Sequence, residues 1–331
     1  MSHASITMRR FLRDRRATVG FVVLGMLSLM GIFAEVLAAP APLLVVGGGH
    51  RDVLPAITQE SAPTDDPDKL YAGAFVIWPL VRTSPSATTA EGPFAPSSAV
   101  HPLGTDELSR DVFARVVYGA RNALGISVVA IFLSTVFGVL LGGLSGIRGG
   151  VSRTVLVRLV ETVDSFPAII VVALVWAIER QPTSLSLILA VAFVRWAEVA
   201  RLVHAESMRA MAEDYALAAR ALGASRTRIF LQHVLPNALG PVTVSSVFGV
   251  ASVVLLNATL AFLDMGTASD SASWGELLAQ GARHPAALRL LILPGVLLFA
   301  TVGASYLLAD ALREAMDPRS ARVSTRDGHT R

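Results

Sequence analysis

Long apolar runs, separated by short arginine-containing stretches, make up most of this chain. A helix needs roughly 20 residues to cross the hydrocarbon core of a bilayer, which is about 30 Å thick. Six runs are close to or above that length, at residues 17–39, 123–147, 155–178, 185–203, 239–263 and 288–308. The pattern predicts an all-α, polytopic membrane protein with about six transmembrane helices.

The composition agrees with a membrane protein and excludes several kinds of site. Hydrophobic residues make up 53% of the 331 residues and charged residues only 16%, which is too apolar for a soluble protein of this size. The chain has no cysteine, so disulfides and thiolate metal sites are excluded. The single lysine, Lys69, precedes Leu70, whereas a phosphate-binding P-loop needs serine or threonine there. We therefore expect no enzymatic activity, metal ion or cofactor in this chain.

The arginines predict the orientation, because cytoplasmic loops carry an excess of basic residues. They lie in short clusters beside the apolar runs and form no long basic stripe, so they do not predict nucleic-acid binding. The predicted segments are a cytoplasmic tail (1–16), a first transmembrane helix (17–39), an external segment (40–118), a transmembrane core (119–312) with a cytoplasmic loop (204–237), and a second cytoplasmic tail (313–331).

The first run also has features of a signal peptide, namely an arginine-rich start and small residues at Ala38 and Ala39. The apolar region of a signal peptide has about 7 to 15 residues, and this run is longer. We expect it to remain as an uncleaved anchor. The external segment has one apolar run, "YAGAFVIWPLV" at 71–81, which is too short to span. We expect this run to pack on the outer face of the bundle or to contact a partner.

The cytoplasmic loop at 204–237 contains an alanine-rich stretch of good helix formers. Gly223 follows it, where a helix can stop, and Pro236 disfavours continuation into the next span. The sequence predicts one or two short helices across the inner face of the membrane. Small side chains with Arg220 beside them allow close entry into the groove of another protein. The alternative is an interfacial helix whose arginines contact anionic lipid.

Residues 213–236 resemble the cytoplasmic signature of importer-type ABC permeases: Glu-Ala-Ala, three residues, Gly, nine residues, Ile, one residue, Leu-Pro. Leu217 replaces the signature glutamate and His233 replaces the isoleucine. The resemblance implies an importer-type ABC permease fold in which this loop carries a coupling helix that docks in a cleft of a separate ATPase. The residues implied in ATPase coupling are Leu217, Ala218, Ala219, Arg220, Gly223, Leu235 and Pro236. We call 204–237 the coupling loop.

Further motifs are similar to those of the C-type permease subunits of dipeptide and oligopeptide importers, which related importers for nickel and glutathione share. They are "HPLGTDELSRDVFARVVYGAR" at 101–121, "LSGIRGG" at 144–150, "SWGELL" at 273–278 and "ADALREAMDPR" at 309–319. Asp264 and Ala309 stand where that subfamily is expected to have glycine.

This resemblance implies a multi-pass protein of the bacterial plasma membrane, surrounded by membrane lipid. The implied partners are a homologous permease subunit that forms a heterodimer with this chain, two ABC ATPase subunits and an extracytoplasmic substrate-binding protein that delivers peptide. ATP and magnesium would bind in the partner ATPases.

Ionisable or polar groups inside a membrane are costly and usually face the bundle interior or water. Five such residues are candidates for the translocation path: Glu161, Asp164, Arg195, Glu198 and Asn257. Arg195 and Glu198 are three residues apart and predict an ion pair on one helix face. The carboxylates leave a competing hypothesis open, a secondary transporter driven by an ion gradient.

Overall fold

The computed structural model of the protein describes residues 11–47, 50–53, 73–147, 150–179, 182–267 and 271–316. Helices and strands are numbered separately in chain order. They are α1 (Arg15–Ile32), α2 (Ala34–Leu37), β1 (Leu44–Gly47), β2 (His50–Val53), β3 (Ala74–Ile77), α3 (Val112–Ile147), α4 (Val151–Asp164), α5 (Ala168–Ile178), α6 (Ser184–Met211), α7 (Asp214–Ala221), α8 (Arg226–Ile229), a π-helical segment (Phe230–Val234), α9 (Leu235–Phe262), α10 (Trp274–Arg283) and α11 (Leu288–Met316).

The chain divides into two compact units. Unit 1 comprises residues 1–24, 126–253 and 301–331, and unit 2 comprises 25–125 and 254–300. The protein is mostly helical, as the sequence predicts.

Four described helices are long and apolar enough to cross a membrane, namely α1, α3, the helix Arg226–Phe262 and α11. A fifth exists if α4 and α5, which are bent by 78° at their junction, form one span. The predicted count of six is therefore not confirmed. Helix α6, which contains the run 185–203, carries Arg195, Glu198 and Arg201 within two turns, more charge than a spanning segment usually carries.

The predicted run at 155–178 forms two helices with a break between them. Helix α4 ends at Asp164, and α5 begins after Pro167. Proline restricts the preceding residue to extended conformations and donates no backbone hydrogen bond. The break follows from these two properties.

In unit 1, α3 packs closely on α6 through glycines four residues apart. A Cβ atom on Gly138 would lie 2.5 Å from the Cβ of Val199, and one on Gly142 would lie 2.5 Å from the Ala200 carbonyl oxygen. Such small-residue spacing lets membrane helices approach each other at backbone distance. The same unit contains the ion pair between Arg16 and Asp310, at 2.9 Å, which joins α1 to α11.

Unit 2 contains a small antiparallel sheet that the all-α prediction missed. Strand β1 lies between β2 and β3, and pairs Val45 with Val76 of β3. The side chain of Val45 is fully buried. The strands have only four residues each, so their alternation was too short to separate from the surrounding irregular segment.

A buried ionic network is the other main feature of unit 2. Asp106 accepts a hydrogen bond from Arg110 Nε at 2.8 Å, and both arginines of the network, Arg110 and Arg115, pair with Glu276 of α10. The side chains of Asp106 and Arg115 are completely buried. This network joins two motifs that are far apart in sequence, 101–121 and 273–278.

The end of α1 is also held within unit 2. Arg121 of α3 forms a bidentate ion pair with Glu35 and donates a hydrogen bond to the Gly31 carbonyl at 2.8 Å. Ala38 and Ala39 are fully buried. Retention of the first run as an uncleaved anchor stays a prediction.

Candidate coupling site

Residues 204–211 of the coupling loop belong to the end of α6, and α7, which follows them, has two sides that differ in their surroundings. Ala216 is fully buried in a hydrophobic cluster, and Ala219 packs partly buried against the same cluster. Leu217, Ala218 and Arg220 are exposed. The helix therefore uses two of its alanines for attachment to the protein and presents the opposite side outward.

The cluster beneath α7 links the coupling loop to three long helices of unit 1. Its buried members come from α6, α7, α8, the π-helical segment and α9, and side chains of α3 pack against it. The buried members are Val199, Val203, Ala210, Ala216, Ile229, Phe230, Val234 and Val242. The ring of Phe230 also packs on Gly143 of α3, where a Cβ atom would lie 2.5 Å from Cζ. Because close-packed protein interiors are hardly compressible, a displacement of α7 is transmitted to the helices that share this cluster.

Helix α7 ends in a Schellman motif centred on Gly223. The Gly223 N–H donates to the Arg220 carbonyl at 3.0 Å, and the Ala224 N–H donates to the Ala219 carbonyl at 3.0 Å. The φ angle of Gly223 is +87°, a region that L side chains rarely adopt. The sequence prediction of a helix stop at this glycine is confirmed.

We expect Gly223→Ala to loosen this turn through backbone strain alone. A Cβ atom at Gly223 would meet nothing within 4 Å, whereas the left-handed conformation costs an alanine about 1–2 kcal/mol. Tryptic cleavage after Arg220 and Arg226, which bracket the turn, should become faster. Gly223→Asn should show a smaller increase, because asparagine enters the left-handed region more readily. Equal cleavage rates for the two variants and the parent would contradict this role.

Leu222, the residue between helix and turn, is 90% exposed. A large apolar side chain in this position contributes nothing to the packing of the chain itself. Together with Leu217, Ala218, Arg220, Ala221 and Gly223, which are also exposed, it forms what we call the coupling surface.

The second half of the loop differs from the prediction. Residues Arg226–Phe262 form one continuous helical stretch, so the expected interruption at Pro236 is wrong. The π-helical segment Phe230–Val234 lies just before this proline, and the Leu235 N–H bonds to the Phe230 carbonyl. The wider turn gives room for the proline ring, which would clash with a carbonyl four residues earlier in a regular α-helix.

The remaining signature positions divide between packing and exposure. Leu235 packs partly buried against the hydrophobic cluster, whereas Pro236 is exposed. His233, at the isoleucine position, is exposed, and its ring centroid lies 5.7 Å from that of Tyr215 in α7. This ring contact gives His233 a place in the loop that the sequence did not indicate.

Four of the five path candidates lie in unit 1. Arg195 and Glu198 form the predicted ion pair at 3.1 Å, and Glu198 also accepts a hydrogen bond from Ser245 at 3.0 Å. Asp164, at the end of α4, pairs with Arg201 of α6. Glu161 is exposed and pairs with Arg158 at 2.8 Å. Their role in a translocation path stays a prediction.

A cavity of about 880 Å³ in unit 1 brings Glu198 together with arginines that the sequence did not connect to it. Its lining comes from α6, α9 and the end of α11. The charged lining residues are Glu198, Arg201, Arg209 and Arg313. The sequence assigned Arg209 and Arg313 to topology and placed Arg201 near the fourth span, and no local pattern connected the three to one cavity.

Asn257, the fifth candidate, lies buried in unit 2.

Unit 2 also contains Asp264, which stands where C-type permease subunits are expected to have glycine. This residue has a φ angle of +57°, a conformation that favours glycine. Its carboxylate pairs with Arg283 at 3.3 Å, and the pKa of Arg283 is raised above its ordinary value by its hydrogen bond to Glu107 and its contacts with Asp264.

Two family models match the chain. One, described as binding-protein-dependent transport system inner membrane component, matches residues 138–322, and the other, described as the N-terminal TM domain of oligopeptide transport permease C, matches residues 2–49. The first match covers more than half of the chain and includes the whole coupling loop.

Curated relatives agree with these models. The dipeptide transport system permease protein DppC of Bacillus subtilis (strain 168) is 33% identical over 231 residues, which cover 69% of this chain and 71% of the relative. The oligopeptide transport system permease protein OppC of the same organism is 32% identical, covering 68% of this chain and 73% of the relative. DppC of Haemophilus influenzae is 32% identical, covering 66% and 74%. With its membrane-spanning helices and the coupling loop described above, the chain belongs to the family of binding-protein-dependent transport system inner membrane components.

Proposed function

We propose that this chain is the C-type permease subunit of an ATP-driven importer for dipeptides or oligopeptides. The peptide substrate class follows the names of its curated relatives. The observation that carries the mechanism is the cluster beneath α7, because it joins the coupling surface to α3, α6 and α9. A push on α7 is then passed directly to helices of the transmembrane core.

In this proposal the ATPases move the coupling loop. Two ABC ATPase subunits bind ATP and magnesium and close on each other, and each of them contacts the coupling loop of one permease subunit and moves it. The second permease is a homologue, so that the two enclose one path. The resulting rigid-body movement exposes that path to alternate sides of the membrane.

The other partners and the cellular location follow from the same proposal. A substrate-binding protein delivers peptide from outside the bacterial plasma membrane, and both termini of this chain are cytoplasmic. Import of a related small solute, such as a nickel chelate or glutathione, is the neighbouring possibility within the same mechanism.

The ion-driven alternative gains no support. Glu161, Asp164 and Glu198, the carboxylates it would use, are all engaged in ion pairs in unit 1. The family assignment also favours a transport system that depends on a binding protein.

The test is purification from the native membrane in mild detergent, with identification of co-purifying chains by mass spectrometry. The expected partners are a second permease and P-loop ATPases. The complex is then reconstituted in vesicles, with the binding protein outside. Uptake of labelled dipeptide into the vesicles should require ATP in the vesicle lumen, on the side of the ATPases. Purification of the chain alone, together with uptake driven by a proton or sodium gradient, would overturn the proposal.

The proposed orientation gives a separate prediction that uses the absence of native cysteine. Ala90 and Ala212 are both exposed alanines, in the segment predicted outside and in the turn between α6 and α7. In intact spheroplasts a membrane-impermeant maleimide should label Ala90→Cys, whereas Ala212→Cys, which lies outside the coupling surface, should be labelled only after lysis. The two variants control for each other, and the reversed pattern would overturn the topology.

A further inference from the structure

The three-stranded sheet of unit 2 has an apolar face that the described part of the chain leaves exposed. Leu44 pairs with Ile77 and Val46 pairs with Phe75, and directly paired residues lie on the same side of a sheet. Phe75 is 65% exposed, and Val46 and Ile77 are also exposed. We call these four residues the apolar sheet face. Val45, on the opposite face, is fully buried.

This face continues the apolar surface at the end of α1 and α2. The Leu80 N–H donates to the Val36 carbonyl of α2 at 3.4 Å, and both side chains are exposed. Ala38 forms a bridge with Val81. Only residues 38–43 separate α2 from β1, and six residues reach at most about 20 Å. The sheet therefore stays close to the end of the first membrane-spanning helix.

The chemistry of the face decides between a transient protein partner and lipid. Interfaces that form and dissociate are about as polar as the rest of a protein surface, whereas the four members of the apolar sheet face are all hydrophobic, and the register adds one charged residue, Arg51 opposite Val46, at the β2 edge. A permanent cover is required, since large exposed apolar patches promote association.

Trp78 and Arg82, which follow β3, favour lipid. The Arg82 guanidinium carbon lies 4.4 Å from the centroid of the Trp78 ring. Tryptophan is enriched at membrane–water interfaces, and long arginine side chains extend there toward the headgroups. The sheet cannot enter the hydrocarbon core, because unpaired strand edges do not occur there.

We propose that the apolar sheet face lies on the outer leaflet of the membrane at the level of the lipid headgroups, so that the sheet is an interfacial anchor for the external segment. The proposal rests on the external placement of this segment in the proposed function, but not on the transport activity or its substrate.

The test is spin-label accessibility in the assembled transporter, reconstituted in vesicles of phosphatidylethanolamine and phosphatidylglycerol. Single-cysteine variants Phe75→Cys and Val46→Cys carry the label on the apolar sheet face. Ala90→Cys, in the exposed part of the same external segment, is the aqueous reference, and Phe21→Cys, exposed on α1, is the lipid reference. The readout is the ratio of collision with oxygen, which partitions into lipid, to collision with a water-soluble nickel chelate.

Both labels on the sheet face should give a ratio several-fold above that of Ala90→Cys and below that of Phe21→Cys. A ratio equal to that of Ala90→Cys would place the face in water and overturn the proposal. Low collision with both reagents would mean that a protein partner covers it, which also overturns the proposal. Sidedness is read independently, because maleimide labelling of Ala90→Cys reports whether the segment is external. Peptide uptake by the same vesicles reports on the proposed function separately.

Discussion

Replacing Leu222 with glutamate is expected to abolish most ATPase binding while leaving membrane insertion intact. Leu222 is 90% exposed at the end of α7, so the substitution removes no contact within the chain. In the proposed complex the side chain enters a groove of the ATPase, where burying an unpaired carboxylate is costly. Truncation of a central apolar contact costs about 2 kcal/mol or more, which is roughly a 30-fold loss of affinity. The measurement is the amount of ATPase that co-purifies with equal amounts of permease.

Leu217→Glu is the matched control for this prediction. It introduces the same side chain within α7, five residues before Leu222 and at a position that is half exposed, and it restores the glutamate of the permease signature. ATPase co-purification and ATP-dependent peptide uptake should therefore be retained. Equal losses for both variants would indicate that any negative charge on α7 is harmful. Normal co-purification with Leu222→Glu would show that the coupling surface is not the ATPase contact.

The position of the substitution matters because neighbouring residues have other roles. Ala219 packs against the hydrophobic cluster, so a glutamate there would disturb the attachment of α7 as well as any docking. Gly223 requires a positive φ, so a substitution there changes the backbone. Of these three residues of the coupling loop, Leu222 is the one at which ATPase docking can be tested with the least effect on folding.

Arg115→Met is expected to cause the largest loss of stability in the protein. The Arg115 side chain is completely buried and lies between Asp106 and Glu276. It also donates a hydrogen bond to the Pro85 carbonyl at 3.2 Å. Because Arg110 also pairs with Asp106 and Glu276, losing Arg115 leaves two carboxylates with one arginine, and breaking a buried ion pair in this way costs about 3–5 kcal/mol. The midpoint of thermal unfolding, followed by size-exclusion chromatography of fluorescently tagged protein, should fall sharply.

Arg283→Met is the control because it removes an arginine from an exposed set of ion pairs in the same unit. Arg283 pairs with Glu107 and Asp264 at 3.2 and 3.3 Å, and all three side chains are substantially exposed. Exposed ion pairs contribute about 0–1 kcal/mol, so this variant should unfold close to the parent. A similar fall in the midpoint of thermal unfolding for both variants would contradict the larger contribution expected from the buried arginine.

The fold could be predicted where a single local property decides it. Apolar runs longer than the bilayer thickness identified α1, α3, α9 and α11, and the spacing of Arg195 and Glu198 identified their ion pair. Gly223 could be assigned as a helix stop, since few other residues adopt its φ angle. The permease signature could be recognised because its residues lie within one loop.

The failures lie where distant segments or competing local preferences decide. Pro236 was expected to end a helix, but the π-helical segment before it relieves the clash. A break at Pro167 could be expected in the run at 155–178, because proline donates no backbone hydrogen bond, but the 78° bend between the two helices could not be predicted from the sequence. The four-residue strands become a sheet only when β3 returns beside β1, and no local pattern shows that pairing.

A polytopic membrane protein of the permease type could be identified from the amino-acid sequence, because hydrophobic length, basic clusters and a spaced signature are properties of contiguous residues. The folded chain was needed to show which alanines of α7 contact the cluster and which are exposed, and that Arg110 and Arg115 meet Glu276 across more than 150 residues of chain. Burial and ion pairing depend on the helix register and on contacts between distant segments, which contiguous residues do not reveal.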